Sequence, residues 1–429
     1  MYRFPNPQGW FFAAGCIAIC CASRSSAETN WNRFRGENGT GFIAQSSVPL
    51  PWTDSDIAWT ATLPGKGNGS PIVQGNHVFV LSADPTNAER YVLSYDIVTG
   101  RERWRKTYPS VTHPLHDRSS YASSTPCADD TGVYVAWGAP TSIVVKAFSH
   151  AGEELWTRDL GRNVSAHGFG GSPMIVDGRL ILLNSQDAQE LPEGVAPGQT
   201  IVIALDVKTG KTLWETPRQT TRVCYGVPAL LTEASGRQLL VMSETGDGMF
   251  ALDASTGAPV WNRKMFTKRS VSSPLIVGDL IIGTEGSGGG GNVLFAVDSQ
   301  RNHEIVFDIR KAAPYVPTPV AKGDLMFMWS DTGIVTCVQM PSGEAIWSQR
   351  IGGNVSTSPV IAGDKLVGIS DDGTVTVLAA DRRYQQLGQV KLGQNIRSTP
   401  ALREDCMLLR TDTTLLRIGK PDELQKPIR

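Results

Sequence analysis

Three things are scarce in this chain of 429 residues. Net charge is almost missing: 40 Lys and Arg against 41 Asp and Glu leave a formal charge of −1. A bulk electrostatic pull toward nucleic acid or acidic lipid is therefore not expected. Long apolar runs are missing after residues 10–22, "WFFAAGCIAICCA", and thirteen residues are too few to span a bilayer. Clustered cysteine is missing as well. Cys16, Cys20 and Cys21 sit in that first run, while Cys127, Cys224, Cys337 and Cys406 are widely spaced, with no CxxC pair among them. Such spacing excludes a zinc ribbon or a dithiol redox motif. Disulfides in an exported chain and isolated buried thiols are both open readings, and the scatter favours the second.

The apolar run has the marks of an export signal. Arg3 supplies a charged start and "SSA" at 25–27 a small-residue cleavage site, so residues 1–27 read as a signal peptide. The protein is then expected in the periplasm or outside the cell. "AAGC", ending at Cys16, resembles a lipoprotein processing site without its usual Leu, and lipidation there places the protein at the outer membrane.

Glycine is abundant, with 44 residues, which suits a chain of many tight turns. The turns recur in a fixed sentence. "ALDVKTGKTLW" at 204–214 and "ALDASTGAPVW" at 251–261 share an apolar pair, an Asp, a Thr-Gly turn and a Trp eight positions after the Asp. The sentence recurs around Trp104, Trp156 and Trp347, and two worn copies put Phe307 and Leu387 near the Trp position. In step with it, a Ser/Thr-Pro or Val-Pro pair opens an apolar strand at Pro71, Pro126, Pro173, Pro228, Pro274, Pro319, Pro359 and Pro400. Between the landmarks lie short alternating strands separated by Gly-Asp and Asp-Gly turns.

Four short strands repeated every ~40–50 residues indicate a β-propeller. Eight copies predict an all-β, eight-bladed propeller with four-stranded antiparallel blades, over residues 57–429, after a leader at 28–56. Proline belongs on an edge strand, so the Pro strand is expected to line the channel and the Trp strand to lie outermost. The last copy ends near Gly419 without a Trp strand, whereas Trp59 precedes the first copy without a blade of its own. The strand around Trp59 is therefore expected to complete blade 8. Trp59, Trp104, Trp156, Trp214, Trp261, Phe307, Trp347 and Leu387 then form one docking series between blades, an architectural role rather than ligand stacking.

On these residues the chain resembles the PQQ-type eight-bladed propellers, whose repeat is A-x-D-x-x-T-G-x-x-x-W. That family includes quinoprotein alcohol dehydrogenases and the non-catalytic propeller of outer-membrane assembly. "WNRFRGENGTGF" at 31–42 also resembles a leader of secreted bacterial propellers of this type. A dehydrogenase of the family implies a vicinal Cys-Cys disulfide, Ca²⁺ held by Glu, Asn and Asp, and an Asp base. The adjacent Cys20 and Cys21 lie in the signal, and the chain is short for such an enzyme. PQQ with calcium is accordingly disfavoured, and neither a catalytic residue nor a metal ligand is assigned.

Candidate binding residues come from position. Loops leading into the first strands open on one face and carry Lys66, Arg118, His167, Arg222, Lys268, Arg269, Lys311 and Arg397. Loops between second and third strands share that face and carry Asp84, Asp187, Asp247, Glu285, Asp331, Asp371 and Asp412. One reading is a basic channel mouth ringed by acid, in which Arg118, His167, Arg222, Arg269, Lys311 and Arg397 bind a small anionic ligand or an acidic peptide; the other is a set of solvated turns. The spacing H-x-x-H-D at His113, His116 and Asp117 reads as a solvated loop, and "EGSGGGGN" at 285–292 as a hairpin loop without a phosphate cradle. The insertion at 184–200 is long enough to be a partner-binding finger. Together these suggest a secreted, monomeric binding or assembly platform in the cell envelope, with an envelope protein or peptide as partner. A quinoprotein-like oxidoreductase is the alternative.

Overall fold

A computed structural model of the chain describes Met1 and residues 30–420; the rest of the expected signal peptide lies outside the described residues. Eight sheets follow one another along the chain. Blades 1 to 7 occupy residues 72–108, 127–159, 174–217, 229–263, 275–309, 320–350 and 360–391. Blade 8 combines residues 401–418 with the early strand Ile57–Thr62. That strand pairs antiparallel with Thr414–Ile418, placing Ile57 opposite Ile418 and Ala61 opposite Leu415. The two ends of the repeat are thus joined in one sheet, and the propeller closes.

The repeated sentence is the chemistry of one joint. In blade 3, Asp206 Oδ1 accepts the N–H and the hydroxyl of Thr209, which folds the turn back on itself. Gly210 follows with φ 67°, and a Cβ there would lie 2.7 Å from the Trp156 ring of blade 2. Trp156 covers the turn and donates its Nε1–H to the Val207 carbonyl at 2.9 Å, while its ring closes an apolar core of Leu180, Leu182, Ile203 and Leu205. Trp59 and Trp104 dock the same way on the carbonyls of Ile97 and His150. Blade 5 has no glycine in its turn; His303 adopts φ 57° instead and stacks on Trp261 with centroids 4.1 Å apart.

Blade 7 departs from the expected series. Trp214 lies opposite Ala204, just before a bulge, and the equivalent partner of Val377 is Gly388. Leu387 is the bulged residue and does not occupy the docking position. The space is filled by the leader: a Cβ on Gly388 would lie 2.7 Å from Pro51 Cγ, and the neighbouring Leu50 and Trp52 are buried in the core shared by blades 7, 8 and 1.

A second joint runs around the channel. Seven of the eight residues that precede a first-strand proline carry a hydroxyl, and each of the seven accepts the backbone N–H of its counterpart in the preceding blade. Thr125 accepts from Ser70, Ser172 from Thr125, Ser273 from Val227, Thr318 from Ser273, Ser358 from Thr318, Thr399 from Ser358 and Ser70 from Thr399, all at 2.9–3.1 Å. The ring is open only after Ser172, because Val227 carries no hydroxyl.

The leader crosses the channel immediately below this ring. Trp31 bridges to Val73 of blade 1, and Asn38 exchanges two hydrogen bonds with Leu230 of blade 4. Phe42–Ile43 adds a fifth, parallel strand to blade 7. Arg35 is fully buried, and its guanidinium donates to the carbonyls of Gly39, Thr40, Pro319 and Pro359. Burial pushes its pKa down to about 9, which leaves it cationic at neutral pH, with carbonyl oxygens in place of a counter-ion.

Candidate ligand site in the channel

Above the ring the channel widens into a cavity of about 800 Å³. Its floor is the leader, which presents Phe34, and its base is the hydroxyl ring, including Ser70, Thr125, Ser172, Ser273, Thr318, Ser358 and Thr399. Its walls are the loops that lead into the first strands. Each loop must rise from the outermost strand of one blade to the innermost of the next, so its middle residues necessarily face the axis.

Those loops are held by carboxylates behind them. Asp187 accepts the N–H groups of Ala166 and Val223, at 2.8 and 2.7 Å. Glu285 accepts those of Thr267 and Lys268, Asp331 those of Tyr315 and Val316, and Asp247 that of Gln219. The expected ring of acid at the mouth is therefore not what these residues form. They are acceptors for orphan backbone donors, which is why they recur at the same place in successive blades. Among the described residues, only Glu190, from the 184–200 insertion, puts a carboxylate on the cavity wall.

The cations face forward. Arg118, Arg222, Lys268, Arg269 and Arg397 line the cavity, with His116 and His167. Arg269 is 8% exposed; its Nε–H donates to the Val223 carbonyl at 2.7 Å, and its Cζ lies 5.3 Å from the centre of the Tyr225 ring. Arg222 approaches Glu190 at 3.5 Å. Arg397 donates to the Asp117 carbonyl and lies 3.7 Å from Asp371. Arg118 is exposed at the outer end. His116 and His167 stack with centroids 5.0 Å apart. Burial, with the charges of Arg269 and His116 beside it, pushes the His167 pKa down to about 4, so it is neutral at pH 7.

Five of the six candidate residues, Arg118, His167, Arg222, Arg269 and Arg397, are thus brought to one cavity. Lys311 is not. It is exposed, and the chain turns at Ala312 (φ 54°) so that Tyr315 and Val316 reach the wall from that loop. Lys66 sits 3.5 Å from Asp412, outside the lining. The glycine-rich stretch is more than a hairpin: Gly286, Ser287 and Gly288 form wall, and Lys268 Nζ donates to the carbonyls of Gly290 and Gly291. Sequence reasoning did not reach Tyr225, Tyr315 or Phe34. Each is an ordinary apolar letter whose place depends on how far its loop leans inward.

No group of three or more His, Cys, Asp or Glu able to hold a metal ion occurs among the described residues. His113 packs edge-on against Tyr121 while His116 turns to His167, so the H-x-x-H-D residues do not converge. Cys127, Cys224, Cys337 and Cys406 are buried free thiols.

Known proteins share this architecture. A family model described as outer membrane protein assembly factor BamB matches residues 48–136, 198–302 and 290–411. The chain is 23% identical over 371 residues to outer membrane protein assembly factor BamB of Burkholderia pseudomallei (strain K96243), covering 76% of this chain and 90% of that one. It is 26% identical over 205 residues to the protein of the same description from Moranella endobia (strain PCIT), covering 43% and 51%. Among solved structures, a europium-containing methanol dehydrogenase superposes with TM-score 0.69 at 12% identity over 90% of each chain. BamB from Moraxella catarrhalis superposes with TM-score 0.59 at 16% identity over 84% of this chain and 99% of that one. At such identities the superpositions show the fold alone, and a fold does not by itself fix a function.

Proposed function

The chain belongs to the family described as outer membrane protein assembly factor BamB, and from that premise we propose that it is an exported, non-catalytic propeller that binds another protein or peptide in the cell envelope. The observation that carries this reading is the family match, which covers residues 48–136, 198–302 and 290–411. The donor set supports it from the other side. Among the described residues the cavity wall holds five cations and one carboxylate, an arrangement suited to holding an anion rather than a divalent metal. The rigid ring and the loops tied to it present a fixed face, which keeps the ordering cost of binding low.

Cross-linking in intact cells followed by capture of the protein tests the reading. A defined envelope protein recovered in fixed ratio is the expected result. Purified protein that takes up PQQ with Ca²⁺ and then reduces a dye at the expense of an alcohol would overturn it in favour of an oxidoreductase. Fractionation with N-terminal sequencing checks the export, with cleavage after Ala27 as the expected outcome.

A further inference from the structure

We propose that the channel cavity is a binding site for a small organic molecule carrying two or more oxyanion groups, carboxylate or phosphate, with Arg269 as its deepest anchor. The site goes beyond the docking of a partner protein and stands whether or not such a partner exists.

Charge is the first observation. A chain of net charge −1 places Arg118, Arg222, Lys268, Arg269 and Arg397 around one cavity whose lining, among the described residues, holds one carboxylate, Glu190, while Asp371 lies 3.7 Å from Arg397. Asp187, Glu285 and Asp331 hold backbone N–H groups behind the wall and are not part of its lining.

Arg269 is more than nine-tenths buried and lines the cavity beside Tyr225 and Tyr315, yet its Nη2 makes no well-formed hydrogen bond among the described residues. A buried guanidinium donor left unpaired is costly, and an oxyanion in the cavity satisfies it. The Arg fork meets carboxylate or phosphate with parallel hydrogen bonds, which a lysine cannot do. The Nδ1 of His167, also on the wall, is likewise buried without a partner.

Shape defines the ligand class. The cations come from the loops leading into blades 2, 4, 5 and 8, around the channel rather than on one side, so more than one acidic group is addressed. About 800 Å³ is the size of a small-molecule pocket. The leader closes the floor at Phe34, so an extended chain does not thread through. Tyr225, Tyr315 and Phe169 offer surface to an organic body between the charged ends.

Titration calorimetry on the purified protein tests this, with citrate as the carboxylate probe, pyrophosphate as the phosphate probe and glycerol as the uncharged control. Saturable one-to-one binding of citrate, pyrophosphate or both is expected, weakening as salt rises, with none for glycerol. Whichever probe binds assigns the oxyanion. Arg269→Gln and Arg118→Gln should each weaken binding at least about tenfold. Lys311→Gln, outside the wall, should bind like wild type. Arg118 is exposed, so its variant keeps the test valid if the Arg269 variant fails to fold. No saturable binding of either probe, or affinity unchanged in Arg118→Gln, or equal weakening by Lys311→Gln, overturns the proposal.

Discussion

The Thr399 N–H donates to Ser70 Oγ at 3.0 Å, joining blade 8 to blade 1 across 329 residues of chain. This bond belongs to a ring in which every acceptor is the hydroxyl residue preceding a first-strand proline. Proline cannot donate to the sheet, so the residue before it is the last one able to bind sideways. The ring sets the radius at the base of the cavity, and with it the spacing of the loops above.

Ser70→Ala leaves the Thr399 N–H without an acceptor in a buried position and should cost about 1–3 kcal/mol. Val227→Thr offers the missing acceptor to Ser172 and should stabilise by about 1 kcal/mol. Denaturant midpoints at constant slope decide both. A neutral Ser70→Ala would show that water replaces the hydroxyl freely.

The docking tryptophans differ in their indole N–H. Trp156 Nε1 donates to Val207, whereas Trp214 Nε1 is buried without a partner. Trp156→Phe should therefore cost about 1 kcal/mol more than Trp214→Phe, because both lose similar ring area and only one loses a hydrogen bond. Equal losses in thermal or chemical unfolding would mean that the bond contributes nothing net.

Gly388 makes room for the leader. Gly388→Ala puts a methyl 2.7 Å from Pro51 Cγ and should destabilise by about 1–3 kcal/mol through overpacking. Limited proteolysis should then cut faster within residues 44–53. An unchanged cleavage rate would show that the leader adjusts without leaving the cleft.

Glu244, at the end of the second strand of blade 4, is fully buried, and burial raises its pKa from 4.5 to about 7. The folded state therefore holds a proton that the unfolded state releases between those values. Its burial is tolerated below pH 4.5, and stability is lost as pH rises through about 7. Glu244→Gln should stabilise at pH 8 by up to about 3 kcal/mol, with the gain vanishing below pH 4.5. The backbone donors of Gly246 and Asp247 can still find the amide oxygen. Urea midpoints of both proteins across pH 4–8 give the comparison; parallel curves would assign the proton elsewhere.

What the sequence determined by itself is local. The Asp, Thr and Gly of the repeated turn act within five residues of one another, and the proline strand and the Trp are read at regular distances from them, so eight blades and their closure through Trp59 were legible. The positions of Arg118, Arg222, Arg269 and Arg397 were legible too, because a repeat places every incoming loop at the same point of the ring. Tertiary structure alone decided the rest, wherever a residue's role depends on a partner far along the chain. Leu387 and Gly388 are adjacent letters, and only the bulge opposite Val377 and the leader at Pro51 decide which one faces the joint. Asp187 and Glu190 are both acids of one loop, yet the first is turned back to hold N–H groups while the second reaches Arg222. Arg35 and Arg269 are both buried cations. The first is satisfied by carbonyls of blades 6 and 7, and the second keeps an unpaired donor at the cavity wall. That difference is set by packing across hundreds of residues, which no spacing in the sequence records.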